Sequence, residues 1–393
     1  MSQDGNSSTF WKSQPVGIAA TKKPPGIIDK SKAKSTTPVL LPSGLQWHDM
    51  PRDNPEEMQR LRTFLANNYV VDPEETFRLG YSAEFLSLFL SEGHPTWSVA
   101  ITENGIMVGY IAAVKRRVCL MRENVEEIAE VNFLCVEGGK RGQALAALLI
   151  KEITRRVNLC DIFIAIFTCG TRLPSQPFAS SRYYHKFLDL KTLNEIGFTS
   201  FSQEEFNAAK KKWQHKHVAP RINSSVARAH ILRPLKENDI STVVDLFTHE
   251  RHLYAIVEVM DKERLENQIK SKFLQHFVVE ELDVISRTRK IVGYIATVDS
   301  QLIVLEKDTK IELRTVETAT IHYQCGTVSP AINQLFTLLQ RQGKCVVNAL
   351  TIASNMLMIK QENFCPGTGE LYYHMYNYRL PILQPYEVNY HVF

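Results

Sequence analysis

Between Val131 and Val157 the chain carries residue types in an order that suits phosphate binding. The apolar run VNFLCV (Val131–Val136) reads as a strand. Glu137-Gly138-Gly139-Lys140-Arg141-Gly142 follows. Leu145, Leu148, Leu149, Ile153 and Val157 then recur at a spacing that predicts a helix over Gln143–Val157. A helix start offers unpaired N–H groups and the positive end of the helix dipole. Glycines at 138, 139 and 142 would let backbone approach a ligand, and Lys140 and Arg141 add positive charge. The turn is neither GxxxxGK[ST] nor GxGxxG, and a solvated basic turn accounts for the same residues. A second feature is Phe10-Trp11, two adjacent aromatic residues in a polar segment. They ask for a pocket to occupy, unless they are an incidental feature of a tail.

The elements that must hold these residues follow from periodicity. Helices are expected over Glu56–Tyr69 and over Ser82–Leu90, the latter with Ser82 as N-cap. Strands are expected over Trp97–Thr102 and Met107–Val114, joined through Asn104-Gly105, a hairpin turn signal. Ile162–Phe167 reads as a buried strand. The order then recurs. A helix over Pro234–Phe247 precedes strands at Phe277–Glu280, Ile291–Val298 and Thr318–Tyr323. A helix over Pro330–Leu339, a strand over Val346–Ile352 and a helix over Asn355–Glu362 complete the series. The pentapeptide VGYIA marks the repeat, at Val108–Ala112 and again at Val292–Ala296. The second copy lacks the basic turn, since Gly326-Thr327-Val328-Ser329-Pro330 stands in its place.

The 393 residues are 44% hydrophobic and 22% charged, ordinary values for a globular protein of two or three domains. A net charge of +4 is small for this length and argues against a nucleic-acid binder. Seven cysteines are scattered without a CxxC pair or a His/Cys cluster of zinc spacing, so free thiols and no metal are expected. The start, MSQDGNSSTFWKSQP, lacks the apolar core of a secretory signal. No apolar run reaches the ~18 residues of a membrane span. A cytoplasmic protein is expected. Residues 1–44, rich in Ser, Thr, Lys, Pro and Gly, read as a flexible tail, with globular segments over 45–215 and 216–393. The runs AKKKWQHKH (Ala209–His217) and the charges near Arg287 read as solvated loops, with transient ribosome or membrane contact as the alternative.

The hairpin followed by strand, turn and helix resembles the Gcn5-related acyltransferases. Longer segments resemble one family more closely: FWKSQPV (Phe10–Val16), NNYVVDPEETFRLGYSAEFL (Asn67–Leu86), EVNFLCVEGGKRGQALAALLIKEITRRV (Glu130–Val157), SRYYHK (Ser181–Lys186), VNALTIASN (Val347–Asn355) and GTGELYYHMYNY (Gly367–Tyr378). On these the chain is similar to the N-myristoyltransferases, the glycylpeptide N-tetradecanoyltransferases, across essentially its whole length.

The resemblance implies an α/β fold of two Gcn5-related acyltransferase-like halves in pseudo-two-fold array, with mixed twisted sheets flanked by helices. It implies transfer of a myristoyl group from myristoyl-CoA to the α-amine of an N-terminal glycine. Myristoyl-CoA would be a substrate and no cofactor would stay bound. The partners would be glycine-start peptides or nascent proteins, and the enzyme a monomer. The first half would hold the acyl-CoA through Phe10, Trp11, Phe133, Leu134, Cys135, Val136, Arg141, Gly142, Gln143, Ala144, Leu145 and Ala146. Backbone N–H groups at Phe133 and Leu134 would form an oxyanion hole, though both residues also suit a core. Thr168 would help hold the glycine amine, and the terminal carboxylate of Phe393 would act as base. Tyr69, Asp72, Phe77, Tyr81, Thr168, Gly170, Tyr183, His185 and Asn348 would line the peptide groove, although His185 taken alone also suits a structural histidine.

The chain departs from the family pattern in places. The family's RxKR turn is Arg141-Gly142-Gln143-Ala144 here, which loses two basic residues. Leu79, Gly80, Thr351 and Thr368 replace family residues, three of them acidic. NYHVF replaces an aliphatic ending. These changes imply altered CoA affinity and peptide preference. They leave open a non-catalytic paralogue that binds acyl-CoA or acyl-glycine peptides, and an acyltransferase of different chain length or with a lysine acceptor.

Overall fold

The structure, a computed structural model, describes residues 10–16, 23–72, 74–202, 204–207, 228–271, 273–305 and 315–392. Phe393, the Ala209–His217 run and the boundary at residue 215 lie outside them. The chain forms two compact units. One comprises Met1–Ser181, Tyr254–Glu258 and Gly369–Phe393, and the other Arg182–Leu253 and Val259–Thr368. The units are therefore not two successive lengths of chain, because the C-terminal segment belongs with the first.

In the first unit, strands Ser98–Glu103 and Ile106–Leu120 form the expected hairpin. Asn104 and Gly105, with φ of 50° and 79°, make its turn. Ile106–Leu120 then pairs antiparallel with Asn124–Val136. The helix Leu145–Leu159 crosses over to Ala165–Cys169, which runs parallel to Asn124–Val136. The second unit repeats this unit of structure. Leu274–Asp283, Arg289–Val304 and Thr315–Gly326 pair antiparallel in sequence, and the helix Ile332–Arg341 leads to the parallel strand Val346–Leu350.

The register explains VGYIA. Tyr110 stands opposite Cys135 in the first unit and Tyr294 opposite Cys325 in the second. Both tyrosines are fully buried, so each hydroxyl needs a partner. Tyr110 bonds Ser98 at 2.7 Å and Tyr294 bonds His276 at 2.8 Å. Ser98 and His276 occupy the same register position, opposite Ala112 and Ala296. The alternating isoleucine faces the other way. Ile111 packs with Leu145, Leu149, Ile153 and Val157, whereas Ile295 packs with Ile332, Leu335, Phe336 and Leu339. Burying each such side chain stabilises the fold by about 1.5–3 kcal/mol. Gly109 completes the pattern, since a Cβ there would meet Leu149 at 3.1 Å, where the crossover helix lies on the strand.

Several elements run longer than expected, because strand pairing continues past the apolar run that announces it. Met107–Val114 becomes Ile106–Leu120, and Val131–Val136 becomes Asn124–Val136. The helix at Pro234 begins only at Ile240, since Arg228–Pro234 is an edge strand paired with Leu274–Asp283. The strand Cys365–Tyr376 and the helix Lys262–Ile269 have no counterpart among the expected elements.

The segment expected as a tail is docked at several described points, although Ser31–Pro38 stay exposed. Val16 bridges to Tyr376, and Gly26–Ile27 pairs antiparallel with Tyr378–Arg379. Asn377, at φ 57°, clips these pieces. It donates to Asp29 O and Phe163 O and accepts from Asp29 N, and its own N–H reaches Pro15 O at 2.8 Å. Farther along, Val39 N donates to Glu152 at 3.0 Å and Trp47 Nε1 to Val39 O at 2.8 Å. Polar composition suggested a loose tail, but backbone pairing needs no apolar side chains. No described helix is long and apolar enough to cross a membrane.

Candidate active site

The strand Asn124–Val136 carries a β-bulge where the oxyanion donors were expected. Tyr110 pairs with Cys135 and Ala112 with Asn132, so Phe133 and Leu134 together face Ile111. Phe133 has φ 58°, a left-handed conformation that costs a residue with a Cβ about 1–2 kcal/mol. Its ring offsets this by packing. It is 1% exposed and meets Tyr81 at 5.2 Å, Phe89 at 5.2 Å and Tyr69 at 6.0 Å. A bulge takes the extra residue out of the ladder. Main-chain N–H groups released in this way can stabilise an oxyanion. Phe133 is therefore a core residue by its side chain and a candidate donor by its backbone.

Three residues on, the turn expected to hold phosphate is built on Asn68. Gly138 N donates to Asn68 Oδ1 at 3.3 Å, and Arg141 Nη2 donates to Asn68 O at 2.9 Å. Gly142 and Ala144 take φ of 82° and 60°. Arg141, Gly142, Gln143 and Ala144 are all exposed, Leu145 is buried and Ala146 half-buried. The helix Leu145–Leu159 has no side-chain N-cap bond. Its first N–H groups thus face an open, doubly left-handed turn. The lysine contributes less charge than expected, because Lys140 Nζ is paired with Glu103 at 2.7 Å.

Two thiols lie on the paired strands Asn124–Val136 and Ala165–Cys169. Burial pushes Cys135 up to about 12 against the pull of Arg141 and Arg78, and pushes Cys169 up to about 11. Both stay protonated at neutral pH, so neither is a thiolate nucleophile. Thr168, half-buried, pairs with Tyr373 in the strand Ala165–Cys169, and Gly170 follows it, exposed.

Of the expected groove residues in the first unit, Tyr69 and Tyr81 meet at 6.0 Å over Phe133. Phe77 is buried at the start of the strand Phe77–Gly80. Asp72 shapes the turn before it, with Oδ1 accepting from Thr76 N at 2.7 Å and Phe77 N at 2.6 Å. Phe10 and Trp11 do find a seat. Trp11 stacks on Phe167 at 5.7 Å, Phe167 stacks on His374 at 5.2 Å, and Phe10 meets Trp11 edge-on.

The second unit brings together His185 and Asn348, which face one another across paired strands. His185 Nδ1 donates to Asn348 Oδ1 at 2.8 Å, leaving Nε2 as an acceptor when the ring is neutral. Burial lowers the His185 pKa, against the Asn348 bond. Gly367 makes room for this ring, because a Cβ there would collide with Nε2. Tyr183, two residues back on the same strand face, has its phenol pushed up to about 12 by burial. Among the described residues no group of three or more His, Cys, Asp or Glu is placed to hold a metal.

Known proteins match the chain along nearly its whole length. Residues 27–180 match the family model for the N-terminal domain of myristoyl-CoA:protein N-myristoyltransferase. Residues 195–390 match the model for its C-terminal domain. The chain belongs to the N-myristoyltransferase family. A glycylpeptide N-tetradecanoyltransferase of Aspergillus fumigatus is 30% identical over 96% of this chain and 79% of its own. Glycylpeptide N-tetradecanoyltransferase 2 of Bos taurus is 29% identical over 95% and 74%. The crystal structure of Saccharomyces cerevisiae N-myristoyltransferase with bound myristoyl-CoA superposes with a TM-score of 0.82 at 26% identity, covering 96% of this chain and 94% of that one. Members of this family are acyltransferases, and the departures at Gln143, Ala144, Thr351 and Thr368 are departures within it.

Sequence reasoning missed a buried ionic cluster in the first unit. Arg116, 3% exposed, is ringed by Glu92, Glu130 and Glu258, and the Tyr390 hydroxyl donates to Glu130 at 2.8 Å. The signal was Glu130 itself, a charge between Ala129 and the apolar run of VNFLCV, where a half-buried strand would carry an apolar residue.

Proposed function

We propose that this chain transfers a myristoyl group from myristoyl-CoA to the α-amine of an N-terminal glycine. The bulge at Phe133 and Leu134 is the observation that carries this reading. The amine nitrogen attacks the thioester carbonyl carbon, and the developing oxyanion is received by the Phe133 and Leu134 N–H groups. The carbon–sulfur bond then breaks and coenzyme A leaves as its thiolate, and the second proton that the nitrogen sheds as the amide forms neutralises that thiolate to the thiol. The open turn from Arg141 to Ala146 would take the coenzyme A phosphates, with backbone rather than Lys140 supplying most of the attraction. Phe10 and Trp11 would flank the same ligand, beside Cys135 and Val136. Tyr69, Asp72, Phe77, Tyr81 and Gly170 in the first unit would contact the peptide.

The attacking amine must first lose a proton. A terminal ammonium has a pKa of about 7.7–8.0 and a terminal carboxylate about 3.3–3.7. Transfer between them in water would cost on the order of 5–6 kcal/mol. In this reading the carboxylate of Phe393 takes the proton while Thr168 holds the amine, and exclusion of water narrows the gap. The protonated cysteines support direct attack over an acyl-enzyme.

The test mixes purified protein, acyl-CoAs of several lengths, and peptides beginning with glycine or carrying a lysine, and reads peptide mass. A myristoyl adduct on the glycine amine is expected. Myristoyl-CoA binding without any adduct would favour a non-catalytic relative, and an adduct on lysine alone a different acceptor. Extending the chain beyond Phe393 should abolish turnover, and unchanged turnover would remove that carboxylate from the mechanism.

A further inference from the structure

Glu130 is a charge where the fold gains nothing from one. It is 1% exposed, and burying paired ions is commonly no more stabilising than packing apolar side chains of the same volume. Its two oxygens are nevertheless fully engaged. Oε1 accepts from Asn132 Nδ2 at 2.7 Å. Oε2 accepts from Arg116 Nε at 2.8 Å and from the Tyr390 hydroxyl at 2.8 Å. Asn132 is the residue immediately before the bulge. Arg116 stands 5.8 Å over the Phe89 ring, and Phe89 is one of the rings that hold Phe133 in its left-handed conformation. Tyr390 follows Val388–Asn389, which runs parallel to Ile256–Glu258.

We infer that Glu130 is a positioning residue: one buried carboxylate sets the bulge that bears the oxyanion donors and the C-terminal segment that leads to the base. The inference rests on the reaction proposed above. The other groups facing the carboxylate share the load without duplicating the link. Glu92 binds Arg116 Nη1 at 2.8 Å, and Glu258 lies 3.7 Å from Arg116 Nε. Tyr390 stays a neutral donor, because burial and the nearby Glu130 and Glu258 raise its pKa. His391, next along the segment, is buried and held neutral as well.

Two full-length variants test this, Tyr390→Phe and Glu130→Gln. Tyr390→Phe removes one hydroxyl and keeps the ring, so it stays informative if Glu130→Gln fails to fold. Measurements are kcat with a glycine-start peptide from pH 6 to 9, affinity for myristoyl-CoA alone, and thermal midpoint. Displacing reacting groups by about an ångström can cost on the order of a hundredfold, so kcat should fall roughly tenfold in Tyr390→Phe and roughly a hundredfold in Glu130→Gln. Affinity for myristoyl-CoA should fall far less than kcat, because the turn from Arg141 to Ala146 and the Phe10–Trp11 pair, which would carry most of its contacts, lie outside the bulge. With the base displaced, the amine must lose its proton to solvent near its own pKa of about 7.7–8.0. The Tyr390→Phe rate should therefore keep rising above pH 8, where the wild type has levelled. A structural role alone would lower rate, affinity and midpoint together and leave the pH profile unchanged in shape, and that result overturns the inference. An active wild type with Tyr390→Phe indistinguishable from it also overturns the inference but spares the proposed reaction. A wild type that acylates no glycine peptide overturns both.

Discussion

Phe133 concentrates the chemistry and the strain of the first unit in one residue. Its left-handed backbone is tolerated because Tyr69, Tyr81 and Phe89 enclose the ring. Phe133→Ala should therefore cost about 3–5 kcal/mol in chemical denaturation, as for other buried Phe truncations, and Tyr81→Leu should cost less. The cysteines of the paired strands make the opposite kind of prediction. With thiols pushed up to about 12 and about 11, Cys135→Ser and Cys169→Ser should change kcat by less than about threefold. Intact-mass analysis of the wild type with myristoyl-CoA and no peptide should find no acyl adduct. A thioester-linked adduct on Cys135 or Cys169 would replace direct attack with an acyl-enzyme. None of this was visible as geometry in the sequence. NFLC could be matched to a family, but the positive φ depends on three rings that come from Tyr69, Tyr81 and Phe89, far earlier in the chain.

At the scale of elements, the two VGYIA strands share a register and differ in what surrounds it. Gly109 faces the tip of the Leu149 side chain, which can turn aside, whereas a Cβ at Gly293 would collide with the Thr327 carbonyl, which cannot. Gly293→Ala should therefore destabilise by about 1–3 kcal/mol and Gly109→Ala by clearly less, as measured by urea denaturation. The start of the crossover helix offers a gain instead. Ala144 is exposed at φ 60° with no capping bond, so Ala144→Gly should raise stability by about 1 kcal/mol and raise the melting temperature. Most of the helices, the hairpin at Asn104-Gly105 and the Ser82 cap were legible, because each is written in local periodicity or a local turn residue, whereas the polar helix Lys262–Ile269 was not. Strand ends were not, since Asn124–Glu130 pairs by backbone bonds while carrying Glu126, Glu127 and Glu130. The docking of Gly26–Ile27 was hidden for the same reason, its partner being Tyr378–Arg379.

Across the whole molecule, buried histidines link stability to acid in both units. Burial pulls His374 to about 4 and His391 to about 3 in the first unit, and His276 to about 4 in the second. Each folded pKa lies below the ordinary value of 6.5. Between that value and the folded one, the unfolded chain binds a proton that the folded chain refuses. The contribution of these residues is therefore complete above about pH 6.5 and is lost as pH falls, at up to about 1.4 kcal/mol per pH unit for each histidine. Denaturation midpoints should drop from pH 7 to pH 5, and His276→Gln should flatten the part of that drop that belongs to the second unit.

The first unit borrows Tyr254–Glu258 and Gly369–Phe393 from beyond its own first stretch of chain. Time enters through this arrangement. A ribosome making about 5–20 residues each second needs on the order of ten to forty seconds to pass from residue 182 to residue 368. Throughout that interval the strand bearing Phe133 exists without Tyr390 to complete its ionic cluster, and the strand bearing Thr168 exists without Tyr373 at its edge. The second unit has all its own strands before the first one can close. The first unit, begun first, is thus the last to have all its strands.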